Sequence, residues 1–265
     1  MPSLTLTLCV VVYESVEVTQ RFHQALTASL AGFEDVEVLY YDNSPSDTLA
    51  RWFADRLGPS MQYTHDPRNL GFSYANNQLI LRARHERILL LNPDVFGFSP
   101  TLWQSIASRP TAGTARFARL LNADGSFQDC VGELAGLGRA LRPRRDFASV
   151  REPIEVGMGI MAFMLTEKSV FAEVGLLDCE YPLYAEDMDW CLRAKRAGVK
   201  VVYDPGIELI HVGAASASQR WGQAATLRRK YRAERIFIDK HTRGLEWLAM
   251  RLLNAAKLVL RAAPW

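Results

Sequence analysis

Apolar runs alternate with helical patterns from the start of the chain. "LTLTLCVVVY" (4–13) is a β-branched apolar run of the kind that forms a buried strand. Over 15–31, Val18, Phe22, Ala25, Leu26 and Leu30 recur at helical spacing, and Gly32 ends the pattern. "VEVLYYDNSPSD" (36–47) is a second strand running into a turn-rich loop. "LARWFADRLG" (49–58) reads as a helix, "MQYTHD" (61–66) as a short strand, and "NLGFSYANNQLILRARH" (69–85) as a glycine turn and a helix. "RILLLNPDV" (87–95) is another buried strand that ends in a turn. This order predicts an α/β fold, with a doubly wound, mostly parallel sheet flanked by helices. Such sheets bind ligands at the carboxyl ends of their strands, where "YES", "DNSPSD", "DPRNLGF" and "NPD" fall.

The pattern loosens after about Pro110, and residues 122–155 read as a mobile or inserted loop region. Order returns with "GMGIMAFMLTEKSVFAEVGLLD", a strand and then a helix from near Glu167. Two further strands, "KVVYDP" and "IELIHVG", follow, and 217–262 forms two helices. The expected division is one α/β domain over 1–216, with halves at about 1–110 and 111–216, then basic amphipathic helices over 217–265.

The composition is that of an ordinary globular protein, with 49% apolar and 23% charged residues and a net charge of +2. It makes no case for nucleic acid. The charge is uneven, however. From Arg220 to Arg261 eleven basic residues are opposed only by Glu234, Asp239 and Glu246. Cys9, Cys130, Cys179 and Cys191 lack metal-ligand spacing, which suits a reducing compartment, and Cys9 reads as a core residue. "MPSLTLTLCVVVY" has no basic segment of the kind that opens a signal peptide, and no run of 18 apolar residues occurs. A cytoplasmic protein is expected.

Neither GxGxxG nor GxxxxGK[ST] is present, so a bound nucleotide would rest on carboxylates and a metal rather than on a glycine cradle. Asp42, at a strand end, can accept from a pyrimidine N3–H or ribose hydroxyls, or can simply close an Asx-turn. Asn92 and Asp94 flank Pro93 after an apolar strand, a position that suits a hard cation or an ordinary turn. His211, closing "IELI", can ligate a metal, touch a diphosphate or be structural. Asn76 and Asn77 are poor helix-interior residues, and at least one amide is expected to face the strand ends or a surface polar patch. In "YPLYAEDMDWCLRAKRAG" (181–198), Asp189 suits an i,i+4 pair with Arg193, and acids suit a first helical turn. Tyr181, Tyr184 and Trp190 suggest more. Aromatics desolvate carboxylates, raise their pKa and offer stacking surfaces for sugars.

In order, "VVVYES", "VEVLYYDNSPSD", "NLGFSYANN", "ILLLNPDV" and the 159–213 segment resemble the family 2 inverting glycosyltransferases of GT-A fold. The likeness is to the bacterial rhamnosyltransferase-like branch that builds O-antigen, lipopolysaccharide and cell-wall polysaccharide. It implies that Tyr13 and Glu14 lie near the nucleobase and that Asp42 binds base or ribose. Asn69, Gly71, Asn76 and Asn77 would shape the donor pocket. Asn92 and Asp94 occupy the place of the family's DxD, so Asp94, with His211, would hold a divalent metal (Mg2+ or Mn2+) and the donor diphosphate. Asp187 would be the catalytic base, with Glu186, Asp189, Trp190 and Tyr184 positioning it or the acceptor. The donor implied is a nucleotide sugar, dTDP-rhamnose, and the acceptor a glycan or a polyprenyl-diphosphate-linked glycan. A UDP-sugar donor and a catalytically silent nucleotide-sugar-binding partner are the alternatives. A nucleotidyltransferase would open with a glycine-rich basic loop, which "VVVYES" is not.

Arg251, Asn254, Lys257 and Arg261 form a polar stripe on the last helix. Such a helix can lie peripherally on the inner face of the plasma membrane with its cations on anionic headgroups, or pack on the core or a dimer partner.

Overall fold

The structure, a computed structural model, describes residues 4–134, 136 and 145–262; of 214–221, 223 and 259–262 only the backbone is described. The elements run β1 Leu6–Val12, α1 Val16–Ser29, β2 Val36–Asp42, α2 Thr48–Phe53, β3 Met61–His65, α3 Phe72–Arg82, β4 Arg87–Leu91 and β5 Val95–Phe96. Then come α4 Pro100–Ala107, β6 Thr114–Leu121, β7 Val131–Gly132, β8 Ile154–Glu155, β9 Met158–Gly159, β10 Phe163–Glu167 and α5 Lys168–Val174. The chain closes with α6 Glu186–Arg196, β11 Lys200–His211, α7 Ala214–His241 and α8 Gly244–Ala262.

The main sheet has the order β3-β2-β1-β4-β10-β6-β11-β5, with β8 added on β11. β1 pairs in parallel with β2 and β4, β2 with β3, and β6 with β11, whereas β10 lies antiparallel between β4 and β6. Strands β1, β2, β3, β4, β6 and β11 therefore point one way, and the mostly parallel sheet expected from the pattern is what forms. Helices cover both faces, so the inner strands are apolar throughout: β2 is buried at every position, and Cys9 in β1 is fully buried.

Three features depart from the pattern. The strand β6 and the helix α4 lie where periodicity is weak; α4 begins with Ser99 accepting from the Leu102 N–H, followed by Pro100 in its first turn. The two strands expected over 200–213 are one, β11. Its register with β6 jumps from Asp204↔Ala118 to Glu208↔Arg119, so the intervening residues bulge. Pro205 has no N–H for the ladder, and the Gly206 N–H is taken by the Asp204 carboxylate at 3.0 Å. Finally, the 122–155 region contributes β7 and β8, while 135 and 137–144 lie outside the described residues.

The polar stripe of α8 faces α7. Arg251 bonds both oxygens of Asp239 (2.6 and 2.8 Å), Asn254 donates to Glu234 (2.7 Å), and Lys257 lies 3.6 Å from Glu234. The two acids of the basic tail that sit on α7 thus bind the stripe, and the expectation that it faces lipid headgroups is corrected. The Arg261 side chain lies outside the described ones.

Asp204 is fully buried at the bulge, with Arg109 at 2.9 Å and Arg116 at 3.0 Å. Removing one partner of such a pair strands the others without compensation. Asp204→Ala is expected to destabilise the protein by about 3–5 kcal/mol, read as a lower denaturation midpoint with the tail intact.

Candidate functional site

Because six strands are co-directional, their ends bring Tyr13, Asp42, His65, Asn92–Asp94 and His211 to one edge of the sheet. Glu14, in the left-handed region at φ 45°, gives its N–H to Ser44 (2.7 Å). Asp42 is fully buried; its Oδ1 accepts the Ser44 N–H at 2.8 Å, closing the Asx-turn, and its Oδ2 accepts from the Tyr63 hydroxyl. Asn43 donates to the Gly71 carbonyl (3.3 Å), and Asn69 and Gly71 both have positive φ in the turn before α3. A Cβ on Gly71 would come within 3.4 Å of the Pro182 carbonyl, so this turn touches the segment that leads into α6.

The asparagines of α3 do different jobs. Asn76 donates to the Phe72 carbonyl one turn back (3.0 Å). Asn77 clamps Leu177, donating to its carbonyl (2.8 Å) and accepting its N–H (2.9 Å). Its amide nitrogen also reaches Cys179 Sγ (3.5 Å), so the side chain is committed to the segment that precedes α6.

After β4, the Asn92 N–H donates to Ala162 (3.0 Å) and its carbonyl accepts from Val95 (3.3 Å), which fixes the turn carrying Asp94. Asp94 Oδ1 lies 3.2 Å from His211 Nε2, close enough for an ion pair, yet the angles make no hydrogen bond and this buried oxygen has no donor. Gln128 explains the geometry. Its amide N–H groups go to Asn122 (3.1 Å) and to the His211 carbonyl (3.2 Å), so its Oε1 accepts the His211 Nδ1–H at 2.6 Å. Nε2 is then the nitrogen that faces the Asp94 carboxylate, and a cation bound between the two would satisfy both. An imidazole held through its other nitrogen is the usual arrangement of a metal-binding histidine, and a mixed carboxylate–imidazole set suits Mn2+. A Cβ on Gly213 would sit 2.0 Å from Asp94 Oδ2 and 2.8 Å from His211 Nε2, so only glycine leaves this cradle open. Among the described residues no third His, Cys, Asp or Glu joins the pair.

The acids at the start of α6 are aimed by strain. Tyr184 and Ala185 sit at φ 70° and 66°, two consecutive left-handed residues that cost free energy unless packing imposes them. Glu186 is buried, and its Oε2 has no hydrogen-bond partner. Asp187 is half-buried, and its Oδ1 accepts the Met188 N–H at 2.7 Å. Burial raises the pKa of both carboxyls, and the neighbouring Asp187 charge raises Glu186 further; the Met188 N–H and Lys230 oppose the rise at Asp187. The two carboxyls therefore titrate as a pair, above the ordinary carboxylate range.

Two neighbours of the pair are structural. Trp190 does not offer a stacking face: it is fully buried, packs 5.3 Å from Phe171 and gives its indole N–H to Gly175 (2.9 Å). The core needs that large apolar ring, and its N–H finds a backbone partner there. Asp189 is buried too. It accepts from Arg193 at 2.9 Å, the i,i+4 pair expected, and also from Tyr181 at 3.3 Å and His241 at 2.6 Å. Tyr184 remains half-buried, with Lys230 5.2 Å above its ring.

His241, Lys230, Ala233 and Phe237 all belong to α7, so the tail forms a wall of this turn. Phe237 and Ala233 pack with Tyr181 and Ala185, and Lys240 bonds Asp178 and also Glu180 (3.0 Å). Sequence reasoning missed Gln128, which lies in the unpatterned region, and the part played by α7, whose residues are distant in sequence. Gly213 was visible in "IHVG" without any sign of what it admits. A cavity of about 360 Å³ beside Asp129, Cys130, Phe147 and Met158 includes none of the expected site residues.

His241→Ala leaves the buried Asp189 carboxylate short of one donor. A loss of about 1–3 kcal/mol is expected, with faster hydrogen exchange in α6 as the measurement that checks it.

No protein-family model matches the chain. It is 29% identical over 201 residues to the uncharacterized protein y4gI of Sinorhizobium fredii; the match takes in 69% of this chain but spans 22% of that much longer protein. It is 27% identical over 253 residues to the N-acetylglucosaminyl-diphospho-decaprenol L-rhamnosyltransferase of Mycobacterium tuberculosis, covering 84% of this chain and 80% of that one. The low-salt glycan biosynthesis hexosyltransferase Agl10 of Haloferax volcanii is 22% identical over 240 residues, covering 85% and 76%. Among solved structures, the mannosyltransferase PcManGT of Pyrobaculum calidifontis with GDP-Man and Mn2+ superposes with a TM-score of 0.57 at 14% identity, covering 97% and 70%. GalNAc-T7 with UDP, GalNAc and Mn2+ gives 0.60 at 13%, covering 95% and 54%. The chain has the GT-A fold and is similar to glycosyltransferases over most of its length.

Proposed function

We propose that the chain is an inverting transferase that moves L-rhamnose from dTDP-rhamnose to a hydroxyl of a glycan or polyprenyl-diphosphate-linked glycan in bacterial surface polysaccharide synthesis. The observation that carries the reading is the combination of a desolvated acid on a strained turn, Asp187, with the orphaned Asp94–His211 pair. The similarity to a rhamnosyltransferase along most of both chains supports the sugar, and that relative's name supports an acceptor on a lipid diphosphate. Such an acceptor would bring the reaction to the inner face of the plasma membrane.

In this reading Tyr13 and Glu14 border the nucleobase, and Asp42, expected to touch base or ribose, is fully buried with its oxygens bonded to the Ser44 N–H and the Tyr63 hydroxyl and so acts by holding the turn beside the donor. Asn69, Gly71 and Asn76 shape the donor pocket, and Asn77 acts through Leu177. A divalent cation held by Asp94 and His211 would neutralise charge on the leaving nucleoside diphosphate. Asp187 takes the proton of the acceptor hydroxyl as that oxygen attacks the anomeric carbon from the face opposite the diphosphate. The old C–O bond breaks as the new one forms, so configuration inverts without a covalent enzyme intermediate. Glu186, buried beside Asp187, and Tyr184 line the approach.

Asp187→Asn is expected to lower kcat by about 10²–10⁴ with dTDP affinity nearly unchanged, whereas Glu186→Gln should be milder. Near wild-type turnover in Asp187→Asn would remove the base assignment. The sign of the pH dependence follows from the raised carboxyl. The base exists only above its folded pKa, so kcat falls as pH drops through a value higher than that of an ordinary aspartate, about 3.9.

Calorimetry of dTDP, UDP and GDP, each with and without Mg2+ or Mn2+, tests the donor. Metal-assisted preference for dTDP is expected, and preference for UDP would change the sugar but not the class. Gly213→Ala should displace Asp94 and press on the His211 ring, and so abolish the metal's contribution to nucleotide affinity, read in the same calorimetry.

A further inference from the structure

With its stripe committed to α7, α8 turns its opposite face outward. Leu245, Leu248 and Leu252 recur at i, i+3 and i+7 and are 86%, 48% and 63% exposed. Ala255, one turn on, is exposed as well. Monomeric proteins rarely leave so continuous a row of large apolar side chains in water. Trp247, four residues before Arg251, lies on the stripe side instead, giving its N–H to Asp239 with Arg251 over its ring.

The surroundings choose the partner. On α7, Arg228, Arg232 and Arg235 are exposed and recur at i, i+4 and i+7. They lie off the face packed on the α6 turn (Ala233, Phe237) and flank the side that meets α8 through Glu234 and Asp239. Asp239 continues their row, and its charge is already taken by Arg251. Among the described residues, the hairpin thus carries an apolar row on α8 and, on α7, a row of cations without a neighbouring free acid. Two copies of the chain meeting face to face would set like charges against each other. An anionic surface with a hydrocarbon interior complements both rows. No helix among the described residues is long and apolar enough to cross a membrane.

We propose that the α7–α8 hairpin docks on an anionic lipid surface with the Leu245, Leu248 and Leu252 face of α8 inserted and the α7 arginines at the headgroups. This orientation reverses the one that the polar stripe suggested. It rests on α7 and α8 alone and holds whichever sugar is moved.

The experiment is flotation of the full chain with vesicles of phosphatidylcholine, with and without phosphatidylglycerol. The wild type should bind the anionic vesicles, less so as salt is raised. Leu248→Glu with Leu252→Glu should weaken that binding at least about tenfold, with mass by light scattering and dTDP affinity unchanged. Arg228→Glu, Arg232→Glu and Arg235→Glu together should weaken binding to anionic vesicles and leave any residual binding to neutral ones alone. Absence of wild-type binding, or wild-type binding by the leucine variant, would overturn the proposal. So would a wild-type dimer that the leucine variant splits without loss of vesicle binding, since the face would then belong to a second copy.

Discussion

The shared direction of six strands is the constraint on which the molecule's chemistry depends. A parallel strand needs its neighbour's chain to return over a face of the sheet, so every functional loop leaves from the same edge. Asp42, Asp94 and His211 come from β2, from the turn after β4 and from β11, far apart in sequence, and meet there because β4, β6 and β11 point the same way across the antiparallel β10. The bulge at Asp204–Glu208 advances β11 against β6 before the strand reaches His211. Asp204 stabilises that bulge, and so sets His211 at a distance.

The buried carboxylates divide by how fully they are bonded. Asp42, Asp189 and Asp204 each receive several donors, and each shapes backbone: a turn, the α6–α7 contact and a bulge. Among the described residues, the buried carboxylate oxygens without a hydrogen-bond donor belong to Asp94 and Glu186. A buried acceptor left unpaired costs free energy, so its persistence in two places marks where an ion, a proton or a substrate belongs. Both lie among the residues to which the family resemblance gives roles.

The C-terminal hairpin has two faces with different tasks. Its inner side supplies His241 to Asp189 and Phe237 to Tyr181, which holds the strained Tyr184–Ala185 turn in place. His241 is held from both sides: Arg196 lies 3.3 Å from Nδ1, and Nε2 bonds Asp189. Its outer side is apolar leucine beside arginine. A contact made on the outer side is thus one helix away from the acids of α6.

Much of this was legible in the sequence. Apolar runs bounded by turns marked β1 to β4, because strands covered on both faces are apolar throughout, and the helical period marked α1, α3 and α6. The i,i+4 rule gave Asp189–Arg193, since both partners lie on one helix. The ordered motifs pointed to the family and to Asp94, Asp187 and His211. What the sequence could not determine is set by partners far away along the chain. Trp190 could stack on a sugar or fill the core, and the Gly175 carbonyl and Phe171 decided. Asn77 could face a ligand, and Leu177 claimed it. The stripe of α8 could face lipid, and Asp239 and Glu234 turned it inward. Periodicity says that one face of a helix differs from the other; only the neighbour it packs against, brought there by tertiary structure, says which face is inside.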